Sequence, residues 1–309
     1  MKKQKASEST SRFAWARRDK IPSTLINGGI MNLLSIYLEE LELRGYSPKT
    51  VRNYRVVLNK FIATVGKPIE EVTTLDIKAY ILSLKGRKGS YINNVIKRIK
   101  LLFRYLYEEE LIERDVASKI KLVRQEIPHV ATFELEEIKL LVGAYDNSCF
   151  LEARNRTILM LLIDCGLRAN EICNLKPSNI YDDYILIENS KGNKSRIVPI
   201  SLSLRKQLIK YEKFRRESEW LFTSVRNKQL TTQTIEVITR EGCKRVGIEP
   251  KSPHKLRHTY AQNQLLSDVD IYTISKALGH SSLNVTNMYL RGLDARKLLD
   301  KSISILDKL

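Results

Sequence analysis

The chain has 309 residues, enough for one large domain or two of ordinary size, and its 53 Lys and Arg against 35 Asp and Glu give a formal charge of +18. A hydrophobic fraction of 43% excludes a wholly disordered chain. The longest unbroken apolar run, the six residues from Ile158 to Ile163, is far short of the ~18 that a membrane-spanning helix requires. Residues 1–30 carry seven basic and two acidic side chains, lack the apolar stretch of a secretory signal and end in Asn27-Gly28-Gly29, so they read as a flexible basic arm. From 31 to 124 the pattern is helical. Leu34, Tyr37, Leu38 and Leu41 form one stripe; Ser47-Pro48 opens a second helix through Val51, Tyr54, Leu58, Phe61 and Val65, closed by Gly66. Thr74 is the expected cap of a third helix with Ile77, Tyr80, Ile81 and Leu84. A fourth, opening near Ser90, places Tyr91, Val95, Ile99, Leu102, Phe103 and Leu106 on one side and the basic face Lys97, Arg98, Lys100 and Arg104 on the other.

Residues 121–131 are polar, contain Pro128 and fit a linker, with 125–131 as its centre. The second domain, 132–309, should open with a helix capped by Thr132 and carry a buried helix around 158–163. Two strands follow, Tyr184 to Glu188 and Ser195 to Ile200, joined by the turn 189–194, then helices starting near Ser203, Thr232, Ser252 and Ser282. Leu299, Ile303 and Leu306 stripe a terminal helix. The fold class is mainly α with a small β-sheet: a helical domain followed by a mixed α+β domain. Basic residues exceed acidic ones in both, 25 to 14 over residues 1–130 and 28 to 21 over 131–309, so both domains could face a polyanion. The cysteines Cys149, Cys165, Cys173 and Cys243 form no CxxC pair and read as free thiols of a cytoplasmic protein.

Several cationic or imidazole groups sit at structural punctuation. Arg168 lies just past Gly166, and Glu171 three residues on could hold its guanidinium. Lys191 occupies a glycine turn between strands, where an ammonium can reach outward and donate a proton. His254 and Arg257 share a helix face at i, i+3, an imidazole beside a guanidinium fork suited to an anionic oxygen. His254 and His258 have the i, i+4 spacing of a metal pair, but Lys255 and Arg257 crowd them with charge and no glutamate stands where a zincin has its base. His280 ends Leu278-Gly279-His280, and Tyr289 follows nine residues later. Each signal has a bland reading alone: a cap with a salt bridge, a turn lysine, a packed histidine or tyrosine.

In this order they resemble the tyrosine recombinase (phage-integrase-like, Xer-like) family, through CGLRANEICNL (165–175), SKGNKSRIVPI (190–200), SPHKLRHTYA (252–261), KALGHSS (276–282) and NVTNMYL (284–290). SPKTVRNYRVVLNKF (47–61) is similar to the family's core-binding domain. The resemblance implies an enzyme that cuts and rejoins DNA through a 3′-phosphotyrosyl link, with no cofactor and no metal. It casts Tyr289 as nucleophile, Arg168 and Arg257 as holders of the non-bridging phosphate oxygens and Lys191 as general acid. His254 and His280 would move or share protons at the phosphate, and Glu171 would orient its neighbours. Lys194, three residues past Lys191, exchanges with it if the hairpin shifts; Tyr260 and Tyr272 lack the spacing of Tyr289. The implied partners are double-stranded recombination sites, other copies in a tetramer on two duplexes, and accessory proteins the sequence does not name. The resemblance implies that the terminal helix docks on a neighbouring protomer, with packing on its own domain as the alternative. The basic arm tilts the role toward integration or transposition of a mobile element, with a Xer-like chromosome dimer resolvase as the alternative. A non-cleaving DNA-binding regulator and a metal-dependent hydrolase are the alternatives of other classes.

Overall fold

The computed structural model describes residues 30–124, 132–188, 195–280 and Thr286. Residues 1–29 of the arm, the linker centre 125–131, the turn 189–194, the helix start near Ser282, Tyr289 and the terminal stripe lie outside these residues. The chain divides into two compact units, Met1–Ile127 and Pro128–Leu309.

The first unit is built on four helices: α1 (Ile30–Leu43), α2 (Pro48–Val65), α3 (Thr74–Ser83) and α4 (Gly89–Glu108). Their ends follow from local chemistry. The Ser47 hydroxyl accepts the Thr50 N–H, Pro48 starts the helix, and Gly66 closes it at φ +66°. The cap of α3 is Thr73, one residue earlier than expected, because Asp76 completes a capping box with it. Leu38, Leu58, Phe61, Ile77, Ile99 and Phe103 are among the fully buried residues that join the helices. On α4 the expected stripe is buried at Val95, Ile99, Leu102, Phe103 and Leu106; Tyr91 alone of it is exposed, and Ile92 and Ile96 widen the buried face. Asn93, also buried, exchanges two hydrogen bonds with the Val123 backbone, so residues up to 123 belong to this unit.

The second unit contains α5 (Leu135–Val142), α6 (Phe150–Asp164), the short α7 (Ala169–Cys173), α8 (Leu202–Glu212), α9 (Thr232–Arg245), α10 (Pro253–Leu266) and α11 (Ile271–Leu278), with an antiparallel pair, β1 (Tyr184–Ile187) and β2 (Arg196–Pro199), between α7 and α8 in chain order. The register sets Ile187 opposite Arg196 and Ile185 opposite Val198. Glu134, not Thr132, stands before α5 and forms a capping box with Glu137; the Thr132 hydroxyl instead bonds Gln262. Helix α8 starts at Leu202 because Ser201 accepts the Leu204 N–H. Helix α6, buried at Ile158, Leu161 and Leu162, is the spine against which α5, α8, α9 and α10 pack. Cys165, Cys173 and Cys243 are buried free thiols, and Cys149 is exposed. Among the described residues, no helix is long and apolar enough to cross a membrane.

Candidate active site

The site forms where three chain ends meet: the loop before α7, the start of β2 and the C-terminus of α11. Helix α6 stops at Cys165, and Gly166 turns the chain at φ +59° so that Arg168 becomes the residue preceding α7. Arg168 donates its backbone N–H to Glu171 Oε2 at 2.9 Å and Nη1 to Oε1 at 2.7 Å. Glu171 therefore holds its guanidinium, as the i, i+3 spacing suggests.

Helix α10 starts at Pro253 and presents His254 and Arg257 from its first turns. The Arg257 side chain is only 1% exposed. It donates Nη1 to Gly166 O at 2.7 Å and Nη2 to Leu278 O at 2.5 Å, and Nη1 lies 4.0 Å from Glu171 Oε2. Gly279 ends α11 at φ +64° and hands the chain to His280, whose Nδ1 lies 2.9 Å from the Thr286 hydroxyl. Arg168 Nη2 donates to Gly279 O at 3.1 Å.

Sequence reasoning gave Arg196 no role, yet it lies at the centre. Its Nη1 and Nη2 grip both oxygens of Glu171, at 2.9 and 2.7 Å, and its Nε donates to Ala277 O at 2.7 Å. One signal could have found it. Arg196 and Val198 are two apart on a strand and so share a face, and a charge on the core face needs a partner. Three arginines from three elements thus hold three successive carbonyls, those of Ala277, Leu278 and Gly279. Cations at a helix C-terminus satisfy its orphan carbonyls and complement its dipole.

Lys191, Lys194 and Tyr289 lie outside the described residues. Tyr260 is buried beneath Gly166, its hydroxyl pushed up to about 12 by burial and then by Cys165 and Asp164, which makes it a packing residue. Tyr272 is exposed beneath the Lys276 ammonium. The rings of His254 and His258 meet edge to face with centroids 4.8 Å apart. Among the described residues, no group of three or more His, Cys, Asp or Glu is gathered as metal ligands are. In the helical unit, Lys97 and Arg104 are exposed, while Arg98 lies over the Tyr54 ring. Lys100 is spent on the carbonyls of Ser118 and Ile120, so the expected basic face is narrower than its sequence.

The electrostatics keep both imidazoles neutral near pH 7. Partial desolvation, then Arg257, Lys255 and Arg168, push His254 down. Desolvation, then Arg257, Arg168 and Arg196, push His280 down to about 3. Burial raises the Glu171 carboxyl, but the Arg196 bonds and charge and the Arg168 bonds outweigh it and hold it at about 2. These shifts have one sign in stability. An unfolded histidine titrates near 6.5, so below that pH the unfolded chain binds protons the folded chain refuses, and acid favours unfolding. The contribution of both histidines is present above ~6.5 and is lost as pH falls, for His280 toward about 3. That of Glu171 is present above ~4.5 and is lost as pH falls toward about 2. The melting temperature should therefore drop from pH 7 to pH 5, and His280→Gln should flatten the drop. A melting temperature level over that range would overturn the neutral-imidazole assignment.

The comparisons with known proteins cover nearly the whole chain. The phage integrase family pattern matches residues 132–296, and the N-terminal SAM-like domain of phage integrases matches 33–113. Tyrosine recombinase XerA of Pyrococcus horikoshii is 31% identical over 277 residues, spanning 86% of this chain and 90% of that protein. The chain belongs to the phage integrase family. As a tyrosine recombinase it is a DNA-cleaving and rejoining enzyme whose partner is DNA. Two solved structures share the fold. A lambda integrase dimer bound to a COC′ core site has a TM-score of 0.73 at 21% identity, covering 90% of this chain and 99% of that one. A lambda integrase tetramer bound to a Holliday junction has a TM-score of 0.67 at 23% identity, covering 86% and 82%.

Proposed function

We propose that this tyrosine recombinase performs site-specific recombination with Arg168 and Arg257 gripping the non-bridging oxygens of the scissile phosphate. The observation that carries the reading is the convergence of these two guanidinium groups around a carboxylate already bound by Arg196. The Tyr289 hydroxyl attacks phosphorus; the P–O bond to tyrosine forms as the bond to the 5′-oxygen breaks. Tyrosine's proton passes to neutral His254, and Lys191 protonates the leaving 5′-oxygen. His280 donates a hydrogen bond to the phosphate; a neutral ring whose Nδ1 accepts the Thr286 hydroxyl would carry its proton on Nε2. Glu171 orients Arg168. Developing negative charge on the phosphorane is met by fixed cations, a task metal ions perform in other phosphoryl-transfer enzymes. Phosphate-ester energy is kept in the tyrosyl link, so a partner strand's 5′-hydroxyl can reverse the reaction.

The helical unit, with Lys97, Arg98 and Arg104, would add grip on the duplex backbone. The working form would be a tetramer on two duplexes in the cytoplasm, a reading supported by the tetrameric assembly of the lambda integrase relative. For the biological role, mobile-element integration or transposition stands beside a Xer-like role, and the likeness to XerA over most of both chains favours the latter.

The experiment is a nicked suicide duplex incubated with the full chain in EDTA. Wild type should form an SDS-stable protein–DNA adduct, and Tyr289→Phe none. An adduct persisting in Tyr289→Phe would overturn the nucleophile, and a strict Mg²⁺ requirement would overturn the mechanism. Two unnicked sites run on a native gel report the assembly: recombinant product from dimers alone would overturn the tetramer.

A further inference from the structure

Arg196 enters none of these steps, yet its described hydrogen bonds all converge on the site. We propose that Arg196 is a positioning residue of the recombination reaction: its two-point ion pair keeps Glu171 from cancelling the positive charge with which Arg168 and Arg257 hold the scissile phosphate. The inference rests on the reading that those two arginines hold that phosphate.

Among the described residues, three guanidinium groups lie within 4.0 Å of one carboxylate, a local surplus of two positive charges. A phosphodiester carries one negative charge and its pentacoordinate transition state about two, so the surplus matches the species that must be stabilised. Without Arg196 the surplus falls to one.

Geometry makes the loss worse. Arg196 and Glu171 are 8% and 9% exposed, so little water could replace the lost partner. The deserted carboxylate would draw in Arg168, already bonded to Oε1 at 2.7 Å, and Arg257, 4.0 Å from Oε2. Either movement takes a guanidinium edge away from the phosphate.

The seat of Arg196 is also built to fix it. Its Nε holds Ala277 O, and a Cβ added at Gly279 would lie 2.9–3.2 Å from Nη1, Cδ and Cζ of Arg196. The guanidinium therefore rests against a glycine that admits its close approach, one residue before His280. A buried ion pair is weak evidence for stability, since apolar replacements often serve as well. The fork on Glu171 is better accounted for by the carboxylate charge it takes up beside Arg168 and Arg257.

The test uses the full chain and two nicked suicide duplexes, one with an ordinary scissile phosphodiester and one with an uncharged methylphosphonate there. On the phosphodiester, Arg196→Met should slow single-turnover adduct formation about 10–100-fold. Arg196→Lys, which keeps the charge but loses the fork, should fall between it and wild type. On the methylphosphonate, where there is no non-bridging negative charge to meet, the Arg196→Met deficit should shrink to within about threefold. An equal deficit on both duplexes would overturn the proposal and leave a structural role only.

If thermal melts show Arg196→Met unfolded, Arg196→Met/Glu171→Gln decides. It removes both charges of the pair and restores the surplus of two, so it should fold and cleave the phosphodiester within about tenfold of wild type. Failure to fold, or a larger deficit, would overturn the proposal. Failure of the underlying reading looks different: Arg168→Ala would then cleave the phosphodiester like wild type.

Discussion

Arg257→Ala is expected to lose cleavage and stability together. The side chain is buried, and its two terminal nitrogens satisfy carbonyls from separate elements, Gly166 O and Leu278 O. A buried carbonyl stripped of its donor costs ~1–3 kcal/mol, and the void left by so large a side chain adds to this. Relief of repulsion among Arg168, Arg196 and Arg257 offsets part of the cost, so a net loss of about 2–4 kcal/mol remains. In a folding unit of this size that lowers the melting temperature by roughly 5–15 °C. The catalytic loss should be larger, ~10²–10³-fold in single-turnover cleavage, as for loss of one preorganised donor at a developing anion. Arg257→Lys should recover little of either, because an ammonium cannot span two carbonyls in a planar fork. A variant that melts like wild type would overturn the structural half of this expectation; one that cleaves like wild type, the catalytic half.

Gly166→Ala should destabilise the catalytic unit through a single methyl group. At φ +59° a side chain is strained, and the added Cβ would lie 2.6 Å from Tyr260 Cδ1 and 2.9 Å from Cγ, a ring without room to retreat in the buried cluster with Ile274 and Leu278. The backbone term is ~1 kcal/mol and the overlap ~1–3 kcal/mol. Gly247→Ala supplies the control: at φ +71° it meets nothing within 4 Å and carries the backbone term alone. Chemical denaturation should therefore rank Gly166→Ala below Gly247→Ala by ~1–3 kcal/mol. Because Gly166 O accepts Arg257 Nη1, cleavage should fall only for Gly166→Ala. Equal stabilities would show that the Tyr260 ring yields at no cost.

Much of the fold was legible because helix ends are local chemistry. Ser47 with Pro48, Ser252 with Pro253, and the glycines 66 and 279 mark their boundaries within one turn of chain. The errors were local as well. Adjacent Thr73 and Thr74 are equal candidates until Asp76 chooses one, and of the neighbours Tyr91 and Ile92 only packing shows which one begins the buried stripe. Candidate catalytic groups were legible through their order along the chain, whereas Arg196 was not, because its partners are remote. Glu171 lies 25 positions away and Ala277 81, a meeting that only the β2 register and the end of α11 bring about. Lys100 misled for the same reason, since the carbonyls that consume its charge lie 18 and 20 residues further on.

The three arginines at the end of α11 are anchored to backbone oxygens, which every amino acid possesses. A substitution at Ala277 changes no acceptor, so that position can drift in sequence while the guanidinium groups stay where they are. Position 279 is held to glycine by its left-handed φ and the Arg196 stem, and position 278 to an apolar side chain by its burial. Mutational sensitivity is thereby concentrated on the donors, while much of what they hold is exempt. A chain built this way can accept change along part of the helix that frames these arginines without moving them.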